Sequence, residues 1–293
     1  VPRKFRFMRH HVRMQHQVDA LIALLDLEAI EVNIFRGVNP DEDRQRIFGG
    51  QVAGQALVAA ARTVEPDRAV HSLHAYFLRP GDPSIPVLYE VDRMRDGRSF
   101  TTRRVVAIQH GRPIFNLSAS FHVAEPGHHH LDAMPDAPDP DTLPTRAERF
   151  AAAGVTDPAA DGALDLRWVT NDPFNRSAPL PPNQQVWFKA KGRVPDDQVL
   201  HTCLLTYASD MTLLDTTLLP HATGSADPDV MMASLDHAMW FHGPFRADEW
   251  LLYDQHTPAA TGARGLATGR VFTHDGLLIA SVVQEGLIRR VQQ

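Results

Sequence analysis

The strongest constraint in this sequence is internal: it repeats itself once. Ser72-Leu73-His74-Ala75-Tyr76-Phe77 is echoed by Ser234-Leu235-Asp236-His237-Ala238-Met239-Trp240-Phe241. Turns at His110-Gly111 and Asp275-Gly276 each separate two β-rich runs, and Val52-Ala53-Gly54-Gln55 aligns with Tyr207-Ala208-Ser209-Asp210. The offset stays between 155 and 165 residues, the mark of a duplicated unit. A chain of 293 residues accommodates two units of ~100–150 residues and a linker.

Each copy reads as a helix followed by an antiparallel meander. In the first, the small-residue run from Phe48 to Ala61 forms a buried helix. Four β-rich runs follow near 71–79, 86–94, 99–109 and 113–123, punctuated by Pro80-Gly81, Asp96-Gly97 and His110-Gly111. In the second, Val186–Lys191 reads as a strand and Gln198–Leu219 as one long helix. Met232–Phe241, Trp250–His256, Ala263–Thr273 and Leu277–Gly286 complete the meander. An amphipathic helix over 17–35, carrying Leu21, Leu24, Leu25 and Ile30, precedes the first copy. The stretch 126–182 holds ten prolines and reads as a long connector crossing a surface. The expected division is an N-terminal unit with its leading helix over 1–125, the connector over 126–182 and a C-terminal unit over 183–293.

Composition excludes several function classes. With 43% hydrophobic and 22% charged residues the chain builds a packed core. A net charge of −6 argues against a nucleic-acid partner. The single cysteine, Cys203, excludes an intramolecular disulfide framework and a multi-cysteine zinc site. No run approaches the ~20 apolar residues of a membrane span. Val1-Pro2-Arg3-Lys4-Phe5 has no apolar segment of a signal peptide behind it, and Arg289-Arg290-Val291-Gln292-Gln293 is no peroxisomal address. A soluble protein of a reducing cytoplasm is expected.

Asp210 is the most informative polar residue. The helix that carries it has one apolar stripe, Leu200, Cys203, Leu204, Tyr207, Met211, Leu214 and Leu218, and Asp210 points into it. A carboxylate there suffers desolvation that only hydrogen bonds or a charge offset. That fits a catalytic base and equally a structural cap or buried ion pair; the residues alone leave both open. Ser234 and Gln284 lie on strands in the most apolar surroundings of the second copy, where a hydroxyl and an amide need partners. Ordinary strand positions remain the alternative for each. The first copy offers only Ser72 and Ala119 at the approximate equivalents, so the polar set is complete in one half alone.

Other features carry less. His128-His129-His130 sits among prolines without acidic or cysteine ligands and reads as solvated loop, so no metal is expected. His237 and His242 read as structural. Arg93, Arg95, Arg98, Arg103, Arg104, Lys189, Lys191 and Arg193 read as scattered surface charge rather than a phosphate site. The chain has no Gly-x-Ser-x-Gly elbow, P-loop or Gly-x-Gly-x-x-Gly.

Several phrases in order resemble one family. They are Phe35-Arg36-Gly37, the run Phe48-Gly49-Gly50-Gln51-Val52-Ala53-Gly54-Gln55-Ala56-Leu57, Tyr207-Ala208-Ser209-Asp210, Ser234 to His242, and Val283-Gln284-Glu285-Gly286. Together, from about residue 20 to 290, they resemble the acyl-CoA thioesterase II family. The resemblance implies an α+β tandem (double) hotdog, two antiparallel sheets each wrapped around a central helix. It implies a catalytic set at Asp210, Ser234 and Gln284, which would activate one water to hydrolyse fatty acyl-CoA of medium to long chain. Gly49, Gly50, Gln51 and Gln55 become substrate-binding candidates, with the Gly49-Gly50-Gln51 turn offering oxyanion donors at a helix start. Coenzyme A would be part of substrate and product, with no resident cofactor, and a homodimer or homotetramer is expected. The alternatives are a hotdog acyl-CoA hydratase, which favours an Asp and His five apart where this chain has Asp215 and His221, and a non-catalytic acyl-CoA-binding protein.

Overall fold

The computed structural model describes residues 3–40, 45–154, 162–169, 178–224 and 227–291. Both chain ends and parts of the 126–182 segment lie outside the described residues. Among the described residues the strands join into one antiparallel sheet of thirteen. From one edge it runs β1 (Glu28–Glu31), β2 (Ile34–Gly37), β4 (Val87–Asp96), β5 (Phe100–Gln109), β6 (Arg112–Val123) and β3 (Arg68–Phe77). It continues through β10 (Asp236–Phe241), β13 (Leu278–Arg290), β12 (Arg264–Thr273), β11 (Leu251–Thr261), β8 (Asn183–Ala190) and β7 (Leu164–Trp168). A short β9 (Val230–Ser234) also pairs with β13.

The duplication is visible in that order, since β2-β4-β5-β6-β3 is mirrored by β10-β13-β12-β11-β8. The two echoed sequences are the strands that meet at the mirror. β3 and β10 pair antiparallel, with Ser72 opposite Trp240 and Tyr76 opposite Asp236. The helices are α1 (Arg3–Leu25), α2 (Gly49–Ala61), α3 (Arg146–Ala153) and α4 (Gln198–Ser209). α2 and α4 are the central helices of the two copies and lie antiparallel against each other. The small residues of α2 allow this: a Cβ on Gly50 would overlap the Tyr207 carbonyl oxygen, and one on Gly54 would sit 3.3 Å from that of Cys203. A single core spans both copies, from Leu57, Leu73 and Leu117 to Leu205, Met239 and Val282. This is the tandem arrangement the resemblance implies.

Four sequence expectations are revised. The first helix stops at Leu25, and residues 28–37 form the β1–β2 hairpin. Asn33 takes the turn with a φ of 62°, a left-handed conformation that asparagine tolerates better than most residues. Pairing of β2 with β4 then outweighs the helix-forming composition of Leu27-Glu28-Ala29.

The second central helix also ends early, at Ser209; a turn and a 3-10 run over Leu214–His221 replace its predicted continuation. The hydroxyls of Thr202 and Thr206 donate to the carbonyls of Gln198 and Thr202 at 2.8 and 2.9 Å, and Ser209 Oγ lies 2.9 Å from the Thr206 carbonyl. Such back-bonding competes with the helical ladder.

The 126–182 segment does more than connect. It contributes α3, with a Thr145–Glu148 capping box, and β7, which pairs with β8 as the outer strand of the second half. Leu131, Met134, Ala137 and Leu143 cover a satellite core of Trp187, Trp250, Leu252, Phe272 and Leu278, and Trp187 Nε1 donates to the Pro138 carbonyl at 3.0 Å. Finally, Arg103 is not surface charge. It is buried, with Nε and Nη2 donating to the Thr63 hydroxyl and carbonyl at 2.8 and 2.9 Å and Nη2 meeting Asp96 at 2.5 Å.

Candidate active site at the meeting of the central helices

The early end of α4 is what makes the site. Asp210 is the residue that closes this helix, and it faces the first turn of α2. That turn begins after Phe48, whose side chain offers no cap, so the helix start needs an acceptor from elsewhere. Asp210 supplies it by accepting the Gly50 N–H, at the end of α2 whose dipole favours negative charge. Glycine is required beside it, because a Cβ on Gly49 would lie 2.6 Å from Asp210 Oδ2 and 2.8 Å from the Phe77 ring.

The other carboxylate oxygen faces two strands. Ser234 ends β9, and Gln284 lies on β13 two residues before Gly286, the partner of Ser234 in the ladder. Ser234 Oγ donates to Asp210 Oδ1 at 3.1 Å, and Gln284 Nε2 donates to the same oxygen at 2.6 Å and to Ser234 Oγ at 2.8 Å. Gly286 leaves room for Leu214, which a Cβ there would overlap. The segment after Asp210 is pinned by a buried polar network. Gln255 Nε2 donates to Thr212 Oγ1 at 2.6 Å, and Gln255 Oε1 accepts from Thr216 and Gln184, both at 2.9 Å.

Burial pushes the Asp210 carboxyl up to about 6, and the nearby Asp215 charge adds to the rise. The hydrogen bonds from Gln284, Ser234 and Gly50 act in the opposite sense, toward the anion. A carboxylate titrating near neutrality is suited to accept and return a proton. The neighbouring Tyr253 hydroxyl donates to the Ser209 carbonyl at 3.2 Å, and burial holds that phenol well above its ordinary range.

A cavity of about 1010 Å³ lies alongside. Leu21 and Leu24 of α1, Ile47, Phe48, Tyr207 and Met211 line it with Gln51, and Leu164 and Leu166 enter from the second half. Phe48 and Tyr207 meet edge to face with centroids 5.0 Å apart. Arg13, Arg46 and Arg146 also border it, and Arg46 donates to the Met232 carbonyl on β9 at 2.6 Å.

The structure thus brings Asp210, Ser234, Gln284, Gly49 and Gly50 together. Gln51 borders the cavity and donates to Asn39 Oδ1 at 2.9 Å. Gln55 is elsewhere: completely buried, it donates to the Leu24 and Val38 carbonyls at 2.6 and 3.2 Å and accepts from Tyr89 at 2.6 Å. Those bonds tie the end of α1 to the sheet. Two N–H groups of the Gly49-Gly50-Gln51 turn have acceptors within the protein. The Gly50 N–H is engaged by Asp210, and that of Gln51 by the Phe48 carbonyl at 3.2 Å. His128, His129 and His130 are exposed, and the described residues contain no group of three His, Cys, Asp or Glu able to hold a metal ion.

Sequence reasoning missed two features. The Gln184–Gln255 network gave no signal beyond polar residues in apolar strands. His237, read as merely structural, is buried next to the polar trio with Nε2 2.8 Å from Ser209 Oγ. Its position in the echoed strand was the available hint.

Two family models match this chain, "Acyl-CoA thioesterase" over residues 167–287 and "Acyl-CoA thioesterase N-terminal domain" over residues 39–122. The chain is 42% identical over 281 residues to acyl-coenzyme A thioesterase 8 of Homo sapiens, covering 91% of this chain and 88% of that one. It is 50% identical to the crystallised acyl-CoA thioesterase II TesB2 of Mycobacterium marinum, with a TM-score of 0.79 over 93% of this chain and 99% of the other. The chain belongs to the acyl-CoA thioesterase II family. A hot dog fold protein from Alicyclobacillus acidocaldarius, 19% identical with a TM-score of 0.75 over 93% and 99% of the two chains, shares the fold alone. Asp210, Ser234 and Gln284 fall within the match to the thioesterase model, and Gly49 and Gly50 within the match to the N-terminal model. In this member of the acyl-CoA thioesterase II family the candidate site is therefore assembled from both halves of the duplication.

Proposed function

We infer that this chain hydrolyses acyl-CoA thioesters to a carboxylic acid and coenzyme A, using a water held by Asp210, Ser234 and Gln284. The observation that carries the reading is the convergence of a hydroxyl and an amide on one oxygen of a carboxylate whose proton affinity is raised to about 6. Such a carboxylate is basic enough to take a proton from water in the transition state, yet remains largely ionised at neutral pH.

In this scheme the water oxygen attacks the acyl carbon while Asp210 accepts its proton. Ser234 and Gln284 hold the water in line, and positioning of this kind lowers the barrier by up to ~7–11 kcal/mol in the best intramolecular cases. The carbonyl oxygen gains negative charge against the positive end of α2. Collapse of the tetrahedral intermediate breaks the C–S bond, and the proton on Asp210 goes to the departing thiolate. Coenzyme A enters and leaves as part of substrate and product rather than as a resident cofactor.

The acyl group is proposed to be a fatty chain of medium to long length lying in the cavity beside Tyr207 and Met211. Its volume of about 1010 Å³ lies at the upper end of the ~300–1,000 Å³ usual for ligand sites, and apolar side chains dominate its wall. A cytoplasmic location belongs to the same proposal, supported by the lone thiol of Cys203, which is buried and free. So does a homodimer or homotetramer, supported by Tyr76 and Trp240, which leave large apolar surface exposed where β3 meets β10. Light scattering should give a multiple of 32.6 kDa; a concentration-independent monomer contradicts that part.

The described helices include none long and apolar enough to cross a membrane. The test of activity is thiol release from a panel of acyl-CoAs, with and without Asp210→Asn. Hydration of an enoyl-CoA without thiol release would favour a hydratase, and binding without either would favour a silent acyl-CoA binder.

A further inference from the structure

Gln284 sets a requirement that the trio itself does not meet. Its amide nitrogen serves Asp210 at 2.6 Å and Ser234 at 2.8 Å, so its carbonyl oxygen must point the other way. That oxygen is buried and has no hydrogen-bond partner within normal limits, and the same holds for Nδ1 of His237. The two residues are cross-strand neighbours. Ala238 of β10 stands opposite Val283 of β13, and one further step of that register puts His237 opposite Gln284, with both side chains on the same face. His237 is 1% exposed and Gln284 0%. On its far side the imidazole meets Ser209 Oγ through Nε2 at 2.8 Å.

We propose that His237 is a positioning residue for Gln284: a neutral imidazole protonated at Nδ1, which donates to Oε1 of Gln284. Its Nε2, 2.8 Å from Ser209 Oγ, takes the single Ser209 hydroxyl proton in preference to the Thr206 carbonyl 2.9 Å from the same oxygen. The chain Ser209–His237–Gln284–Asp210 then runs in one direction, each group donating to the next. The opposite tautomer would set an Nδ1 lone pair against the Gln284 oxygen. Flipping the amide to relieve that clash would turn the Gln284 oxygen toward the Asp210 carboxylate. Only the Nδ1–H form keeps the amide nitrogen on Asp210, because an amide in a dry core adopts whichever orientation satisfies its neighbours. Burial pulls His237 down to about 4, which keeps the ring neutral at physiological pH, and the adjacent Gln284 acts in the opposite sense, as an acceptor facing a ring N–H does.

This proposal rests on the hydrolytic reading of the trio, and its primary test does not use activity. Nitrogen-15 spectra of the histidine rings in the intact protein, with the His237 signal assigned by its loss in His237→Asn, should show a neutral ring protonated at Nδ1 at pH 7. A ring protonated at Nε2, or a cationic one, overturns the proposal even if Asp210 proves to be the base.

Kinetics supply the second arm. His237→Leu removes the donor, and kcat should fall ~10–100-fold, the range carried by residues that orient the groups doing the chemistry, with KM within about twofold. The acid limb of the rate profile should move upward from about 6, because the Gln284 hydrogen bond that restrains Asp210 is loosened. Asp215 and Tyr253, the other ionisable groups acting on that site, are unchanged in the variant. Asparagine places an N–H near the position of Nδ1, so His237→Asn should recover a substantial part of kcat. Equal loss in the two variants with an unmoved acid limb overturns the proposal. Should the leucine variant fail to fold, the spectra of the unmodified protein still decide.

Discussion

The Gln284 amide nitrogen donates to Asp210 Oδ1 at 2.6 Å, joining a strand of the second sheet half to the end of the second central helix across 74 residues of chain. That bond fixes which end of the amide faces the carboxylate. Replacing the amide with a second carboxylate should therefore be worse than removing it. In Gln284→Glu two carboxyl groups would share one site and could not both ionise at neutral pH. The acid limb of kcat/KM should rise by more than about one pH unit, whereas Gln284→Ala should lower the rate with a smaller shift. A pH–rate series on both variants checks this; identical profiles would contradict it.

In the unmodified protein, kcat/KM should fall below about pH 6 with a slope of one proton as Asp210 becomes protonated. His237 contributes no limb near neutrality, since burial holds it down at about 4. A profile flat from pH 5 to 8 would remove Asp210 as the base.

The raised proton affinity of Asp210 also has a consequence for stability. Its carboxyl goes from about 3.8 in the unfolded chain to about 6 in the fold. Between those values the folded state binds more protons than the unfolded state, so this group's contribution is full below about pH 4 and is lost as pH rises through 6. Asp210→Asn has no such titration. Its stability relative to the unmodified protein should improve from pH 4 to pH 8 by at most roughly 3 kcal/mol, since each tenfold change in proton affinity is worth about 1.36 kcal/mol. Chemical denaturation at the two pH values measures the difference. A change of opposite sign would mean that the fold stabilises the carboxylate.

Gly49→Ala should damage the site from the first half of the chain. Its Cβ would press on Asp210 Oδ2 and the Phe77 ring, and relief requires the carboxylate or the helix start to move. Overpacking of this kind costs ~1–3 kcal/mol, and the rate should fall beyond what the folded fraction explains. Thermal melting with turnover per folded molecule tests it; unchanged turnover would argue against close packing there.

Leu24→Trp should narrow the cavity. Release from long acyl-CoAs should then fall more than release from short ones, while Asp210, Ser234 and Gln284 are untouched. An equal effect on all chain lengths would place the acyl chain elsewhere.

The duplication and the trio were legible because both leave marks in residue type. Apolar alternation with turn residues defines the meanders, and a carboxylate, a hydroxyl and an amide stand out among apolar neighbours. What escaped was decided by tertiary contact. The stripe of Met211, Leu214 and Leu218 continues the helical period past Ser209, so it concealed the break that turns Asp210 into a cap on the other helix. Glu28 to Glu31 favours a helix locally but pairs as an edge strand. Leu164–Trp168 is a short run within a proline-rich stretch, and only its pairing with β8 makes it part of the sheet. Gln51 and Gln55 belong to one motif and, four residues apart, to one face of α2, yet Gln51 borders the cavity while Gln55, one turn further along, is buried in bonds to Leu24, Val38 and Tyr89. His237 could not be told from a core histidine without its neighbour across the ladder.

Thiol release by Asp210→Asn, measured per folded molecule on a saturating fatty acyl-CoA, tests the central claim most directly. Asparagine keeps the shape of the side chain and removes the proton acceptor. The turnover rate should fall ~10²–10⁴-fold, the range associated with loss of a general base, while substrate affinity and cooperative melting persist. Near-normal turnover by a folded but less stable variant would contradict it, and would make Asp210 a structural cap on α2 instead of the base that activates water.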